Sequence, residues 1–190
     1  DAALGRAPAD DAEPAASRVD AAFTASLSGL TDSLYVARLK AMGTALSSLS
    51  GRQAVKARVQ QGVLHALFGR LKEAEDTFRA AIADDPALVS PYVNLANVKL
   101  LGSDDKGALR VVKQGLARNA DSALLNLLAA RIYAAGGDSV NAAVYLARVK
   151  KTDPELATRF AGLAPPAAST GGSQRSAERG AAPVLIWGDQ

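Results

Sequence analysis

The stretch that decides the fold is LKEAEDTFRAAIADDP, residues 71–86. Ala74, Phe78 and Ala81 are spaced as on one face of a helix, so the stretch predicts a helix with a small-residue contact face. Its Asp-Asp-Pro ending indicates a boundary, because an acidic residue can cap a helix and a proline can occupy the first turn of the next one. We therefore interpret Asp84 and Asp85 as boundary residues and not as a carboxylate pair for catalysis.

The pattern of this stretch returns at a fixed interval along the chain. When the sequence is shifted against itself so that Ala74 falls on Ala108, the other aligned residues are Ala108 with Ala142, Pro86 with Ala120, and Ala120 with Pro154. We call this interval the repeat period. The turns return in step, at Gly69, at Gly102-Ser103 and at Gly137. A period in the range of about 20 to 50 residues indicates stacked supersecondary units, and the helical pattern inside each unit predicts helix pairs.

Composition supports the same fold class. Of the 190 residues, 48 % are hydrophobic but only 5 % are aromatic, so Ala, Leu and Val must form most of the core. This favours closely packed helices over a sheet rich in β-branched and aromatic residues. The net charge of +3 gives no strong argument for a nucleic-acid partner, and no apolar run is long enough to cross a bilayer. We predict an all-α chain with neither kind of partner.

Catalytic chemistry has little to draw on in this sequence. The chain has no cysteine and one histidine, His65, which excludes thiol nucleophiles and thiolate metal ligands. We interpret His65 as a packing residue. No glycine-rich phosphate loop follows a strand, because AAGGDS, residues 134–139, fits a turn between helices. We predict that the protein is not an enzyme and has no cofactor and no metal.

The repeated residues resemble those of the tetratricopeptide repeat (TPR) family, from about Val55 to Pro154. The first copy carries the family's characteristic residue types at Gly62, Ala74, Phe78, Ala81 and Pro86. The second copy carries them at Tyr92, Leu95, Ala96 and Ala108, and departs at Val112, Gly115 and Ala120. The third copy carries them at Ala130, Tyr133, Gly137, Ala142 and Pro154, with Leu146 and Val149 in place of an aromatic and an alanine.

The resemblance implies an antiparallel helix-pair solenoid, with extra flanking helices and flexible tails. Helices approach within about 8 to 10 Å only where small side chains meet, so we expect Gly62 and Ala74 to be contact points. The expected organisation is a flexible N-terminal arm (1–19), an N-terminal helical segment (20–51), three TPR-like repeats (52–154), a capping helix (155–163) and a flexible tail with an apolar end (164–190). In segment 20–51 Thr31 can cap a new helix and Gly51 can end it, giving either a helical hairpin or one long helix.

The family binds ligands mostly in the concave groove lined by the first helices of its repeats. By register the groove here should present Val59, Val63, Ala66, Leu67, Val93, Asn94, Asn97, Leu100, Leu124, Leu127, Leu128 and Arg131. Members that clamp a chaperone's C-terminal carboxylate place Lys, Asn and Arg in the groove, whereas this chain keeps only Asn94 of that set. We therefore predict a ligand that is an apolar helix or extended peptide, with the amides satisfying its backbone. The protein's own residues 20–50 are the other candidate occupant.

Two further features favour contact with other proteins. Lys106, Arg110 and Lys113 share one helix face, which can receive an acidic partner, although a solvated outer face is the favoured interpretation. The C-terminal PVLIWGDQ carries the apolar run Val184, Leu185, Ile186 and Trp187 behind a flexible tether. We expect it to dock into a partner, with an apolar patch on the protein's own repeats as the alternative.

These features predict a non-enzymatic interaction module that binds a protein partner. The alternative is a structural or accessory subunit of a larger assembly, anchored through its tails. The chain begins at Asp1 without a methionine, which indicates processing and favours the periplasm or cell envelope over the cytoplasm.

Overall fold

The computed structural model describes the backbone of residues 15–160 and the side chains of residues 31–160. Within these residues every regular element is an α-helix. The helices are α1 (Ala15–Ser47), α2 (Gly51–Leu67), α3 (Leu71–Asp84), α4 (Ser90–Leu101), α5 (Asp105–Leu116), α6 (Ala123–Ala135), α7 (Ser139–Thr152) and α8 (Pro154–Arg159). The chain divides into two units, residues 1–40 and 41–190, and each is described by itself.

Most of α1 forms the described part of the first unit, and it is one long helix. It begins at Ala15, inside the predicted arm, and it passes through Thr31 without a break. Hydroxyl side chains do not interrupt a helix when they bond to a preceding carbonyl, as Ser33 Oγ does by donating to Gly29 O at 2.8 Å. The predicted stop at Gly51 is also corrected, because Gly51 is the first residue of α2.

The second unit consists of helix pairs joined by short turns. α2 packs on α3, α4 on α5, and α6 on α7, and each pair also contacts the next one. Each turn places one residue in the left-handed region, at Gly69 (φ 71°), Ser103 (φ 59°) and Gly137 (φ 79°). One repeat period separates each of these positions from the next, so the period of the sequence is also the period of the backbone. The predicted all-α helix-pair solenoid is confirmed.

Small residues lie at the helix crossings, as the sequence predicts. Ala74 and Ala108 are fully buried and Ala142 is nearly so. A Cβ on Gly62 would come within 2.5 Å of Cε1 of the buried Phe78 ring, so this glycine lets α2 lie close to α3. The departure at Gly115 has a similar cause, because a side chain there would press on Tyr92 and Leu125.

The two prolines of the repeat period behave differently. Pro154 is the first residue of α8, and Asp153 caps that helix by accepting a hydrogen bond from Leu156 N at 2.8 Å, as predicted. Pro86 lies in the turn before α4 and not in its first turn, which corrects the prediction. Asp85 holds the turn by accepting from Ala87 N at 3.1 Å, a bond that favours a turn over a helix start.

The described chain ends in a short helix that covers the third pair. Ala157 of α8 is buried together with Leu127 of α6 and Val149 of α7, and Leu156 and Phe160 pack beside them. This is the position expected of a capping helix, which a solenoid needs over its last apolar face. No helix in the described part of the chain is long and apolar enough to cross a membrane.

Candidate interaction surfaces

Most of the predicted groove residues are buried in the interior of the second unit. Of the ten residues on which the binding hypothesis depends most, the seven that are buried are Val59, Val63, Val93, Asn94, Asn97, Leu127 and Leu128. Leu100 and Arg131 are partly buried, and only Leu124 is exposed. This differs from the sequence prediction of an open groove, because neighbouring first helices pack against each other: α2 contacts α4, and α4 contacts α6. The binding role of the set stays a prediction.

The buried asparagines serve the protein's own structure. Asn94 and Asn97 are almost completely buried, and both make polar contacts inside the protein. Asn126 Nδ2 donates to Ala120 O at 3.0 Å and to Ser122 O at 2.9 Å, which fixes the entry into α6. The pairing of Asn126 is incomplete, because its buried Oδ1 has no hydrogen-bond partner among the described residues. Since all three side chains are buried, they are not accessible to the backbone of a bound peptide.

Three exposed leucines remain on the first helices. They are Leu67 on α2 (59 % exposed), Leu101 on α4 (45 %) and Leu124 on α6 (42 %). Sequence reasoning included Leu67 and Leu124 but missed Leu101. The signal was available, because Leu101 stands one repeat period after Leu67 and ends its helix in the same way. We call these three residues the leucine set.

Arg131 lies on α6 among these helices and is partly buried. Burial lowers the pKa of Arg131, since a charged group is disfavoured away from water. An arginine nevertheless stays protonated at neutral pH. Arg131 also interacts with other groups of the protein.

The two acids of the Asp-Asp-Pro boundary pair with arginines on α2. Asp84 pairs with Arg58, and Asp85 accepts from Arg52 Nε at 3.0 Å. An open depression lies beside these pairs, lined by Gly51, Arg52, Ala54, Val55, Asp84 and Asp85. Its charges compensate one another, which agrees with a structural role for Asp84 and Asp85.

Lys99 of α4 connects the first two helix pairs. Its Nζ lies 2.5 Å from Glu75 Oε1 of α3 and 3.6 Å from Asp104 Oδ2 at the start of α5. Burial acts to raise the pKa of Glu75, but hydrogen bonds and charge from Lys99 and Arg79 together lower it. Asp104 also caps α5, since its carboxylate accepts from Gly107 N at 2.8 Å. These contacts join α3, α4 and the start of α5.

His65 is buried on α2, as expected of a packing residue. Burial lowers the pKa of His65, and the nearby Glu73 opposes this shift only in part. No group of three or more His, Asp or Glu side chains that could hold a metal ion occurs among the described residues.

A row of cations and tyrosines crosses α5, α6 and α7. Tyr133 and Tyr145 stack with ring centroids 5.5 Å apart and planes inclined by 16°. Lys113 Nζ lies 5.7 Å from the Tyr133 centroid, and Arg148 Cζ lies 5.0 Å from the Tyr145 centroid. We call these four residues the cation–tyrosine row. Attraction between each cation and its ring favours this order.

Comparison with known proteins agrees with the fold. No family model matches the sequence, and no curated protein matches it. Among solved structures, the crystal structure of MamA, a TPR-like protein, is similar to this chain with a TM-score of 0.52 and 15 % sequence identity. The match covers 70 % of this chain and 82 % of MamA. The fold is therefore TPR-like.

The apolar tail segment Val184, Leu185, Ile186 and Trp187 lies outside the described residues. Its docking into a partner stays a prediction.

Proposed function

We propose that this chain is a non-enzymatic protein interaction module with three TPR repeats, formed by α2–α3, α4–α5 and α6–α7. The module binds an apolar helix or an extended apolar peptide of a partner protein across its first helices. The leucine set makes the first contact, with Leu100 and Arg131 beside it. Val93 and Leu127 are buried, so they can influence binding only through the packing of the first helices.

The observation that carries this proposal is the exposure of one leucine on each first helix. An exposed apolar patch marks an interaction site when its side chains are contiguous, and the proposal takes the three leucines to form such a patch. Leu67 and Leu101 stand at the last residues of α2 and α4, while Leu124 stands near the start of α6. Because successive first helices of a helix-pair stack run parallel, a ligand touching all three must cross the helices obliquely. A helix with apolar residues on one side meets this requirement.

Site-specific photo-crosslinking tests the proposal. A photoreactive side chain at Leu101 should form a covalent adduct with an apolar segment of one partner, because this position is at the centre of the leucine set. The same group at Ala80, exposed on α3 of the first repeat, is the matched control and should give no such adduct. Leu67→Glu should reduce the Leu101 adduct while circular dichroism stays helical, since Leu67 is largely exposed.

The other outcomes of this experiment are equally informative. Equal crosslinking from Ala80 and Leu101 would contradict a binding surface on the first helices. Adducts only with residues 20–50 of the same chain would mean that the protein's own helix occupies the surface. A partner retained only through residues outside 51–160 would favour the alternative, a structural or accessory subunit anchored through its tails.

A further inference from the structure

The outer face of the second repeat carries cations without the acids that accompany them in the first repeat. In α3, Lys72 pairs with Asp76 and Arg79 pairs with Glu75. One repeat period later, Lys106 stands in the place of Lys72, Arg110 in that of Asp76 and Lys113 in that of Arg79. The face that is balanced on α3 is therefore purely basic on α5.

These cations are exposed and lack ion pairs within the described chain. No ion pair seen among the described residues involves Lys106, Arg110 or Lys113. An acid that does act on them is Asp104, whose pKa the charge of Arg110 helps to lower. Like charges spaced at three and four positions repel each other and weaken a helix. Lys106 also stands in the first turn of α5, where the helix dipole disfavours a cation. Helix stability therefore does not explain this arrangement.

The neighbouring outer face of α7 is apolar. One further repeat period carries Lys106 to Val140 and Arg110 to Val144, and these valines are 74 % and 46 % exposed. The cation–tyrosine row connects the two faces, because Lys113 of α5 contacts Tyr133 and Tyr133 stacks on Tyr145, the residue after Val144. The basic side chains thus stand on α5 and the apolar ones on α7, the second helices of successive repeats, and the stacked tyrosines link the two helices through α6.

We propose that this face, built from Lys106, Arg110, Lys113, Val140 and Val144, is a second docking surface that binds an acidic amphipathic helix of a partner protein. The acidic side chains of the ligand pair with the three cations of α5, and its apolar side chains cover the two valines of α7. Charge complementarity selects an acidic ligand, and the valines select one that is also apolar. The surface is separate from the leucine set, so it does not depend on binding there.

The tyrosines favour a protein ligand over a single-stranded nucleic acid. Nucleic-acid binding uses free aromatic faces on which bases stack. Tyr133 and Tyr145 stack on each other and each also carries a cation over its ring. A base would have to displace these contacts, and it would leave the valines uncovered.

Fluorescence polarisation with a defined probe tests the proposal. The probe is a fluorescein-labelled synthetic peptide with glutamates on one helical face and leucines on the other, titrated with the full chain. The variant Lys106→Gln, Arg110→Gln, Lys113→Gln should bind roughly tenfold more weakly, the size expected for three exposed charge contacts. Val140→Ser with Val144→Ser should also weaken binding, and added salt should weaken the wild type more than the triple variant.

A charge-matched control separates this surface from net charge. The variant Arg52→Gln, Lys72→Gln, Arg79→Gln removes the same three charges from exposed positions of the first repeat and should bind the probe like the wild type. Leu101→Glu should also leave probe binding unchanged. Failure of this second docking surface can therefore be distinguished from failure of the proposed binding at the leucine set. The proposal is overturned if the two triple variants lose affinity equally, if neither does, or if single-stranded oligothymidylate displaces the probe and binds more tightly.

Discussion

At the scale of single residues, glycine and alanine decide how closely the helices of a pair approach. Gly62 of α2 lies against the ring of Phe78 of α3 with no room for a side chain between them, and the ring is completely buried. A methyl group at residue 62 therefore needs space that the packed interior does not contain. Alanine is the better helix former of the two, so packing and helix propensity make opposite predictions for this position.

Packing should decide the result at Gly62. We expect Gly62→Ala to destabilise the protein by about 1 to 3 kcal/mol in urea unfolding followed by circular dichroism, the usual cost of overpacking. Phe78→Leu removes ring atoms from the crowded spot, so the double variant should lose less than the two single variants together. Additive losses, or a gain in stability for Gly62→Ala, would mean that α2 can move away from α3 at little cost.

His65 should make stability depend on pH in a narrow range. Its pKa in the folded protein lies below the ordinary value of 6.5, because burial disfavours the imidazolium. Below pH 6.5 the unfolded chain therefore binds the proton before the folded one does, so stability is complete above that pH and falls as the pH is lowered. Three acids with lowered pKa values also make stability depend on pH, but only below their ordinary pKa values, which are 4.5 for Glu75 and 3.8 for Asp104 and Asp138.

This loss of stability can be measured as the urea midpoint of unfolding at about pH 7.5 and at about pH 5.5. The interval contains the ordinary pKa of histidine and lies above the ordinary pKa values of the acids. The wild type should be less stable at the lower pH. The variant His65→Phe keeps an aromatic side chain but has no proton to bind, so its midpoint should barely change. A wild-type midpoint that is the same at both pH values would mean that the folded protein accommodates the imidazolium.

At the scale of elements, the turns and helix caps could be predicted from the sequence, because residue spacing and residue type control them. The repeat period located the turns at Gly69 and Gly137, and the caps follow from residue types such as Asp153 before Pro154. It also located the turn at Ser103, which is left-handed although it is not a glycine. The boundaries of α1 could not be predicted in this way, because a threonine such as Thr31 is compatible both with a helix cap and with a helix interior.

The accessibility of the groove residues could not be predicted from spacing. The register correctly places Val59, Val63 and Val93 on first helices, but it does not specify how near the next first helix lies. The contacts of α2 with α4, and of α4 with α6, bury these side chains. Only the ends of the first helices keep exposed leucines, which is a property of the stack and not of one repeat.

The capping helix α8 gives a prediction at this scale. Ala157→Glu places a charge against Leu127 and Val149, so α8 should detach and expose the last helix pair. Hydrogen exchange should accelerate in α6 and α7 and change little in α2 and α3, since neighbouring units carry most of the coupling in a repeat stack. Thr158→Glu puts the same charge on the exposed side and is the matched control. Equal acceleration in all helices of Ala157→Glu would mean that the second unit unfolds as one.

At the scale of the whole second unit, charge pairing is uneven along the chain. Acids and bases alternate and pair from Arg52 to Asp104, through Arg58 with Asp84 and through Lys99 with Glu75. The cations that follow on α5 stand close to one another without such pairs among the described residues. Each surface pair changes the free energy of unfolding by only a few tenths of a kcal/mol to about 1 kcal/mol. The pairs between Arg52 and Asp104 are attractive and stabilise the fold, whereas the like charges on α5 repel one another and destabilise it.

Salt should therefore change the local stability of α2 and α3 in one direction and that of α5 in the other. Raising the NaCl concentration from about 0.1 M to about 1 M shortens the screening length from about 10 Å to about 3 Å, which weakens attraction and repulsion alike. Hydrogen exchange should accelerate in α2 and α3, where pairs are lost, and slow down in α5, where repulsion is relieved.

The difference between the two parts is the quantity to measure, because a general effect of salt on apolar packing would move both together. The double variant Arg58→Gln with Asp84→Asn removes one pair and should reduce the response of α2 and α3 without changing that of α5. If α5 accelerates with salt as α2 and α3 do, its cations are not repelling one another and must have found anions to pair with.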